Sequence, residues 1–348
     1  MVAMALGLTG TATTAMAREA GAVGFAVPAI PGVSVPGAAG LDIPGALGSD
    51  SPAPDPRVQI VVAAGNWGRG DPQDIQAVLD AVAREFRPLV TPGNGVTLPS
   101  LKILVLPRGT SPRVLYERGA EGEYVVQLTA REDRWFQYAY QFAHELCHVL
   151  SNFDHKELQG GVVPTGNQWF EEALCETASL VTLRRLAASW DARPPSRKWL
   201  GYGPMFAEYA GHLLGESHRH LAGDQTFDGW FSENQAALRD NPYLRAKNEL
   251  VATRLLPVFE RDPTLWQVIA YLNPSPASAG KPFFEYLEDW QEACPPAARA
   301  QVVKVVRMFK VASAAPPKPM AKKKPPVSQP EVPVGPAGPV GQQDTPSQ

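Results

Sequence analysis

Two histidines and a glutamate form a short motif near the middle of the chain, His144-Glu145-Leu146-Cys147-His148. On a helix, His144 and His148 are four residues apart and share one face, so both imidazoles can bind one metal ion. Glu145 is offset from that face and can act as general base on a metal-activated water. This spacing favours zinc-dependent hydrolysis. A five-residue motif also arises by chance, so its meaning depends on the elements around it.

The residues before the motif predict a long, buried helix. Residues 135–143 contain no glycine or proline, and their apolar side chains recur at near-helical spacing. Residues 129–132 (TARE) have the pattern of a capping box, which predicts that the helix begins there and ends at about Asn152. The many aromatic residues in this segment indicate burial. The motif would therefore lie in the C-terminal half of a core helix.

A third metal ligand is expected downstream, because catalytic zinc usually takes three protein ligands and a water molecule. Residues 167–179 predict a second helix with acidic residues near its start. Glu172 and Glu176 share a face of this helix, so one can bind metal while the other holds a ligand histidine by its far ring nitrogen. From spacing alone, the candidates are Asp154, His155, Glu171, Glu172 and Glu176.

Residues 124–179 resemble the gluzincin metallopeptidases, in which H-E-x-x-H is followed by a helix with the pattern W-x-x-E-G/A-x-A. Residues 169–173 (WFEEA) match this pattern and place Glu172 at the ligand position. In thermolysin-like members an acidic residue four positions later hydrogen-bonds the first histidine. The resemblance implies hydrolysis of peptide bonds in a peptide or protein substrate. It also implies that His144, His148 and Glu172 bind Zn²⁺, that Glu145 is the general base, and that Glu176 hydrogen-bonds His144.

The chain departs from the gluzincin pattern in two respects. The loop between His148 and Glu172 is several residues longer than in the best-known members, and Glu171 is a second carboxylate beside the proposed ligand. A metzincin-like alternative places the third ligand six residues after His148, at Asp154. Ser151 stands where that family has the glycine that permits a sharp turn. A second alternative is a non-catalytic zinc-binding protein on the same scaffold.

The oxyanion formed during hydrolysis needs a hydrogen-bond donor besides the metal. In gluzincins this donor is commonly a tyrosine or histidine of the C-terminal lobe. No local motif selects it here, and Tyr202 and His212 are favoured from this set: Tyr202, Tyr209, His212, His218 and His220.

The arrangement of strand and helix patterns predicts an α+β, zincin-like fold. Strand patterns cover residues 57–63, 101–106, 114–117 and 124–128, and helical patterns cover 71–86, 206–215, 242–259, 265–272, 283–292 and 297–309. We expect a catalytic lobe at residues 57–190, with a small mixed sheet and the motif helix, and a mostly α-helical lobe at 191–312. The strand at 124–128 is the predicted edge that binds substrate as an added strand.

Composition bounds the remaining properties. The net charge of −3 over 348 residues argues against a nucleic-acid partner. Residues 1–17 are apolar and end in an A-x-A pattern, which predicts a signal peptide and export to the periplasm, cell surface or medium, and they are too short for a transmembrane anchor. Residues 18–56 and 313–348 are rich in proline and predict disorder. Cys147 and Cys175 each follow a proposed ligand by three residues and could come close enough to pair. Cleavage specificity and oligomeric state stay open.

Overall fold

The strands of the protein form one mixed sheet. The computed structural model describes residues 57–91, 98–157 and 161–310. Within these residues the strands are β1 (Val58–Val62), β2 (Leu101–Pro107), β3 (Arg113–Val114) and β4 (Tyr124–Leu128), in the spatial order β1-β2-β4-β3. Strands β1, β2 and β4 run parallel to one another, and β3 is antiparallel to β4. The predicted signal peptide (1–17) and the predicted disordered segments (18–56 and 313–348) lie outside the described residues.

The first helix accounts for the parallel pairing of β1 and β2. Helix α1 (Pro72–Val90) connects these strands, and a crossover helix brings consecutive strands side by side in the same direction. The Asp71 side chain caps α1 by accepting a hydrogen bond from the backbone nitrogen of Gln73 at 2.7 Å. The buried face of α1 contains the apolar residues predicted from the sequence: Ile75, Val78, Leu79, Val82 and Phe86.

The predicted edge strand lies inside the sheet. β4 is flanked by β2 on one side and β3 on the other, so the edge strands are β1 and β3, and the prediction for residues 124–128 was wrong. The reason is the tight turn after β3, where Gly122 adopts a φ of 82°. That turn folds β3 back along β4, with Arg113 opposite Gln127. The side of the sheet nearest the motif helix therefore ends in the short strand β3.

The motif helix α2 (Trp135–Leu150) is buried along its whole length, as predicted. It begins six residues later than the capping-box pattern indicated. The Thr129 hydroxyl accepts a hydrogen bond from Gln141 instead of capping a helix. Glu132 adopts a left-handed conformation, and its carboxylate accepts a hydrogen bond from Arg69 Nε at 2.8 Å. Both residues of the expected box are therefore engaged in tertiary contacts, and the helix begins only after them.

The second motif helix is longer than predicted. Helix α3 (Gln168–Ala192) packs against α2, and also against α4 (Gly203–Leu214) and α6 (Arg245–Arg261). The predicted lobe boundary after residue 190 falls within α3, and all the described residues belong to one compact unit. Helix α5 (Phe227–Asp240) was not anticipated from the sequence. After α6 come a 3-10 helix (Pro263–Tyr271), α7 (Pro276–Ala279), α8 (Phe283–Ala293) and α9 (Arg299–Lys310). Short 3-10 helices also lie at Phe153–His155, Arg197–Trp199, Ser217–Arg219 and Pro296–Ala298.

At this level the fold class is confirmed: the described part of the chain is α+β, with a small mixed sheet and a mostly helical remainder. Among its helices, none combines the length and apolar character that crossing a bilayer would require.

Candidate metal centre

The two motif histidines and Glu172 meet between α2 and α3. The imidazole rings of His144 and His148 lie with their centroids 5.0 Å apart, as expected for positions i and i+4 on one helix face. The Glu172 carboxylate sits between them: its Oε2 is 3.2 Å from His144 Nε2, and its Oε1 is 3.6 Å from His148 Nε2. All three side chains are buried. Each Nε2 thus faces its own oxygen of one carboxylate.

The chemistry of these three side chains is compatible with a bound divalent metal ion. Two ligand atoms on a tetrahedral zinc, each about 2.0–2.1 Å from the metal, are roughly 3.3 Å apart. The observed separations of 3.2 and 3.6 Å between nitrogen and oxygen match that spacing. Two imidazoles and one carboxylate are also the donor set of many catalytic zinc sites. Each of these two distances involves a different oxygen of Glu172, and the group of ligand atoms that all lie within 4.8 Å of one another consists of His144, His148 and Cys175.

The electrostatics of the cluster favour unprotonated Glu172. Burial alone would raise the pKa of Glu172, but the charge of His148 and hydrogen bonds from His144 and His148 hold it well below its usual value. Burial would lower the pKa of His148, yet the carboxylates of Glu172 and Glu171 together raise it well above its usual value. The positive charge opposite the ionised Glu172 is thus the proton of His148. A divalent cation bound at this point would displace that proton and take its place.

Glu145 lies in the same buried region. Its side chain is only 2% exposed, and burial raises its pKa; the charges of His144 and His148 partly offset this increase, and the charge of Glu172 adds a smaller one. A carboxylate with a raised pKa holds a proton more readily near neutral pH, as a general base must after proton abstraction.

Cys175 is a further potential ligand in this cluster. Its sulfur and one ring nitrogen each of His144 and His148 all lie within 4.8 Å of one another, so these three residues could hold a metal ion. Burial raises the pKa of the Cys175 thiol well above its usual value, and the contact with Cys147 raises it further. A metal ion deprotonates the thiol that it binds, so Cys175 and Glu172 are both candidate third ligands beside the two histidines. Cys147 and Cys175 are both buried free thiols.

Glu171 has a role that the sequence did not indicate. Its Oε1 accepts a hydrogen bond from His148 Nδ1 at 2.6 Å, on the far side of the ring from Glu172. Lys156 Nζ donates to the same oxygen at 3.0 Å, and Asn273 Nδ2 donates to Oε2 at 2.8 Å. The prediction treated Glu171 as a neighbour of the ligand on the helix. The signal that could have revealed it was a second carboxylate in an otherwise apolar helical segment.

Glu176, predicted to hold His144, accepts hydrogen bonds from the Tyr140 hydroxyl and from Arg219, whose guanidinium nitrogen is 2.8 Å from Glu176 Oε1. Burial would raise the pKa of Glu176, but Arg219 first, then Tyr140 and the charge of His144, lower it. Glu176 is thus close enough to His144 for their charges to interact, while its two hydrogen bonds tie it to other residues. Its direct bond to His144 stays a prediction.

A second group of potential metal ligands lies beyond Arg219. Ligand atoms of Glu216, His218 and Glu249 all lie within 4.8 Å of one another. However, Glu249 Oε1 already pairs with Arg219 at 3.1 Å and with Arg245 at 2.6 Å. Two guanidinium groups compensate these carboxylates and would repel a cation, so this cluster is better described as an ion-pair network.

Asp154, the alternative third ligand, is engaged elsewhere. Its two oxygens accept from Arg118 at 2.5 and 2.6 Å, and Oδ2 also accepts from the Tyr124 hydroxyl at 2.9 Å. Its side chain is half-exposed, and no cluster of potential ligands found in the described ranges includes it. His155 is likewise turned toward Asn152, whose Nδ2 lies 3.2 Å from His155 Nδ1.

Tyr243, which the sequence did not single out, lies near the cluster. It occupies the short connection between α5 and α6. Burial raises the pKa of its hydroxyl, and the next largest contribution is the charge of Glu172. By contrast, Tyr202 packs between the rings of Trp190 and Phe206, and His212 is exposed on α4. No local pattern marks Tyr243, which lies just before α6, the helix that packs against α3.

Comparisons with known proteins add no family assignment: neither the protein-family models nor the curated protein sequences match this chain. The function must therefore be argued from the residues themselves.

Proposed function

We propose that the protein is a zinc-dependent peptidase in which His144, His148 and Glu172 hold the metal and Glu145 is the general base. The observation that carries this proposal is the position of Glu172, whose two carboxylate oxygens lie 3.2 and 3.6 Å from the Nε2 atoms of the two motif histidines. The motif and the third ligand come from two helices predicted independently. Their convergence in a buried cluster with Glu145 supports a catalytic role over a chance motif.

The chain's own residues can perform most of the reaction. A bound zinc would supply a Lewis acid that polarises the scissile carbonyl and makes water more acidic. Glu145 accepts the proton of the attacking water and passes it to the leaving amine, a transfer favoured by its buried surroundings. The Tyr243 hydroxyl is the candidate donor to the developing oxyanion. Glu171 accepts a hydrogen bond from Nδ1 of His148 and so directs Nε2 of that ring toward Glu172.

The edge strand β3 supports an extended peptide as substrate. Leu115 donates its backbone N–H to Val125 at 2.9 Å, so the neighbouring Val114 directs its own N–H and C=O away from β4. In the described part of the chain no other strand pairs with that outer edge. A peptide can add there as a further strand through its backbone, which recognises peptides as a class.

The two alternatives are less well supported by the contacts. A metzincin-like site would need Asp154 at the metal, whereas both its oxygens pair with Arg118. A zinc site without catalysis would usually be closed by four protein ligands, which His144, His148, Glu172 and Cys175 could supply. Such a site would, however, give the buried Glu145 no task.

Zinc titration combined with a peptidase assay tests the proposal. The wild type should bind one zinc at this site and cleave a fluorescent denatured protein. Glu145→Gln should keep the zinc and lose activity by roughly 10²- to 10⁴-fold. Glu172→Ala should lose tight zinc binding, and Asp154→Ala, the matched control, should retain it.

The contrary outcomes separate the alternatives. Wild-type zinc affinity in Glu172→Ala, with loss in Asp154→Ala, would establish the metzincin-like ligand set. Equal activity in the wild type and Glu145→Gln, with zinc bound to both, would exclude the proposed enzyme.

A further inference from the structure

The carboxylate of Glu171 is surrounded by three donors from different parts of the chain. His148 Nδ1 and Lys156 Nζ approach Oε1 at 2.6 and 3.0 Å, and Asn273 Nδ2 approaches Oε2 at 2.8 Å. Glu171 has no solvent exposure, so its orientation depends on these three bonds. We call Glu171, Lys156 and Asn273 the Glu171 clamp.

Lys156 is an unusual member of this group because lysine is almost never fully buried unless it is paired. Its side chain is 4% exposed, and its ammonium group lies 5.3 Å from the ring centre of Phe153 and 5.9 Å from that of Tyr116. The two rings themselves stack, with centroids 4.8 Å apart. This aromatic cover holds the positive charge against Glu171 and away from water.

Asn273 reaches the clamp from the helical part of the chain. It adopts a left-handed conformation with a φ of 54°, which asparagine tolerates better than most residues. Its Nδ2 also donates to the backbone oxygen of Ser151 at 3.0 Å, and its Oδ1 accepts from the Tyr286 hydroxyl at 2.9 Å. One amide therefore connects the end of α2, Glu171 and helix α8.

The bond between Glu171 and His148 determines which ring nitrogen carries the hydrogen. An ionised carboxylate can only accept, so Nδ1 must donate to Glu171, and the ring is thereby turned with Nε2 toward Glu172. If Glu171 rotated, both the orientation of the ring and its tautomer would be released. The geometry of the clamp opposes that rotation at both oxygens.

We infer that Lys156 and Asn273 are positioning residues of the metal centre, which act through Glu171 to hold His148 with Nε2 directed at the metal position. This inference rests on the proposed function only in that His148 is a metal ligand. The competing explanation is that Lys156 and Asn273 stabilise the fold without affecting His148.

Zinc affinity, measured by competition with a chelator, distinguishes these explanations. Lys156→Met and Asn273→Ala should each weaken zinc binding by roughly 10- to 100-fold, the usual effect of removing the partner of a ligand histidine. Asn248→Ala is the matched control, since Asn248 is equally buried and its amide donates at 2.8 Å to the backbone oxygen of Pro242. It should reduce thermal stability and leave zinc affinity unchanged.

The imidazole ¹⁵N chemical shifts of His148 in the metal-free protein give a second measurement. At pH values where the imidazole is neutral, the wild type should show the Nδ1–H form, and the two clamp variants should show a mixture of tautomers. The double variant Lys156→Met/Glu171→Gln removes both charges and keeps a carbonyl oxygen for Nδ1. It should recover part of the zinc affinity lost in Lys156→Met, and this rescue keeps the test valid if the single variant folds poorly.

Wild-type zinc affinity and an unchanged tautomer in both clamp variants, with stability lowered as in Asn248→Ala, would overturn the inference. A wild-type protein that binds no zinc would refute the proposed function instead, and the ¹⁵N shifts would still decide whether the clamp sets the tautomer.

Discussion

Replacement of Arg219 by methionine should destabilise the protein strongly, and most strongly at neutral pH. Arg219 is fully buried and pairs with Glu176 at 2.8 Å and with Glu249 at 3.1 Å. Its removal leaves Glu176 with one neutral hydrogen-bond donor, Tyr140, in a buried position. Breaking a buried ion pair by removing one partner costs roughly 3–5 kcal/mol. For a folded part of this size, that corresponds to a fall in Tm of roughly 6–20 °C.

The pH dependence identifies the cause of this destabilisation. In the wild type the pKa of Glu176 is lowered, so its ionised form contributes stability at pH values above the unfolded pKa, and this contribution is lost as the pH falls through the folded pKa. Without Arg219, burial dominates and raises that pKa, so protonation relieves the variant as the pH falls. The difference in unfolding free energy between wild type and variant should therefore narrow from pH 7 toward pH 4.

Denaturant unfolding at several pH values measures this difference. The matched control is Arg184→Met, because Arg184 forms a partly exposed pair with Glu260 at 2.6 Å and should contribute less than about 1 kcal/mol. If Arg219→Met were no more destabilising than the control, or if the gap were constant with pH, the assignment of Arg219 as the compensating charge of Glu176 would be wrong.

Three further outcomes are expected around the site. Tyr243→Phe should lower kcat by roughly 10²- to 10³-fold with zinc retained, since it removes one oxyanion donor. Tyr202→Phe, in an aromatic cluster, should leave kcat near the wild-type value, and equal kcat in the wild type and Tyr243→Phe would exclude Tyr243 as the oxyanion donor. Val114→Pro should raise KM for long peptides because proline cannot donate a hydrogen bond from the outer edge of β3. Val114→Ala is its control, and an unchanged KM in the proline variant would mean that the peptide does not bind along this edge. A thiol probe applied to the denatured, unreduced protein should label three cysteines, in agreement with the free thiols in the structure; labelling of one would indicate a bridge between Cys147 and Cys175.

The parts of the site that the sequence predicted depend on local periodicity. His144, His148 and Glu172 lie on two helices whose apolar spacing and lack of breakers were visible, and the structure brings these three side chains together. The buried face of α1 and the mixed sheet follow from the same kind of pattern. Where one helix presents functional groups at i and i+4, helical geometry alone brings them to one face.

The parts that the sequence did not predict depend on contacts between distant segments. Glu171 differs from Glu172 only by its rotation around α3, and the partners that define its role, Lys156 and Asn273, lie 15 and 102 residues away. The edge strand was misassigned because strand order depends on how a hairpin folds back, which local alternation does not encode. The capping box expected at residues 129–132 does not form because Glu132 pairs with Arg69, 63 residues earlier.

The distance of Asn273 along the chain has a consequence for the timing of maturation. Asn273 donates a hydrogen bond to Glu171, which lies 102 residues earlier. A growing polypeptide therefore contains both histidines and Glu171 well before it contains Asn273. At a synthesis rate of 5–20 residues per second, that interval is roughly 5–20 s. During it, residues up to the end of α3 would already be available for helix formation, while His148 would still lack its final anchor. In a nascent chain Glu171 would thus lack this hydrogen bond until Asn273 has been synthesised and has docked.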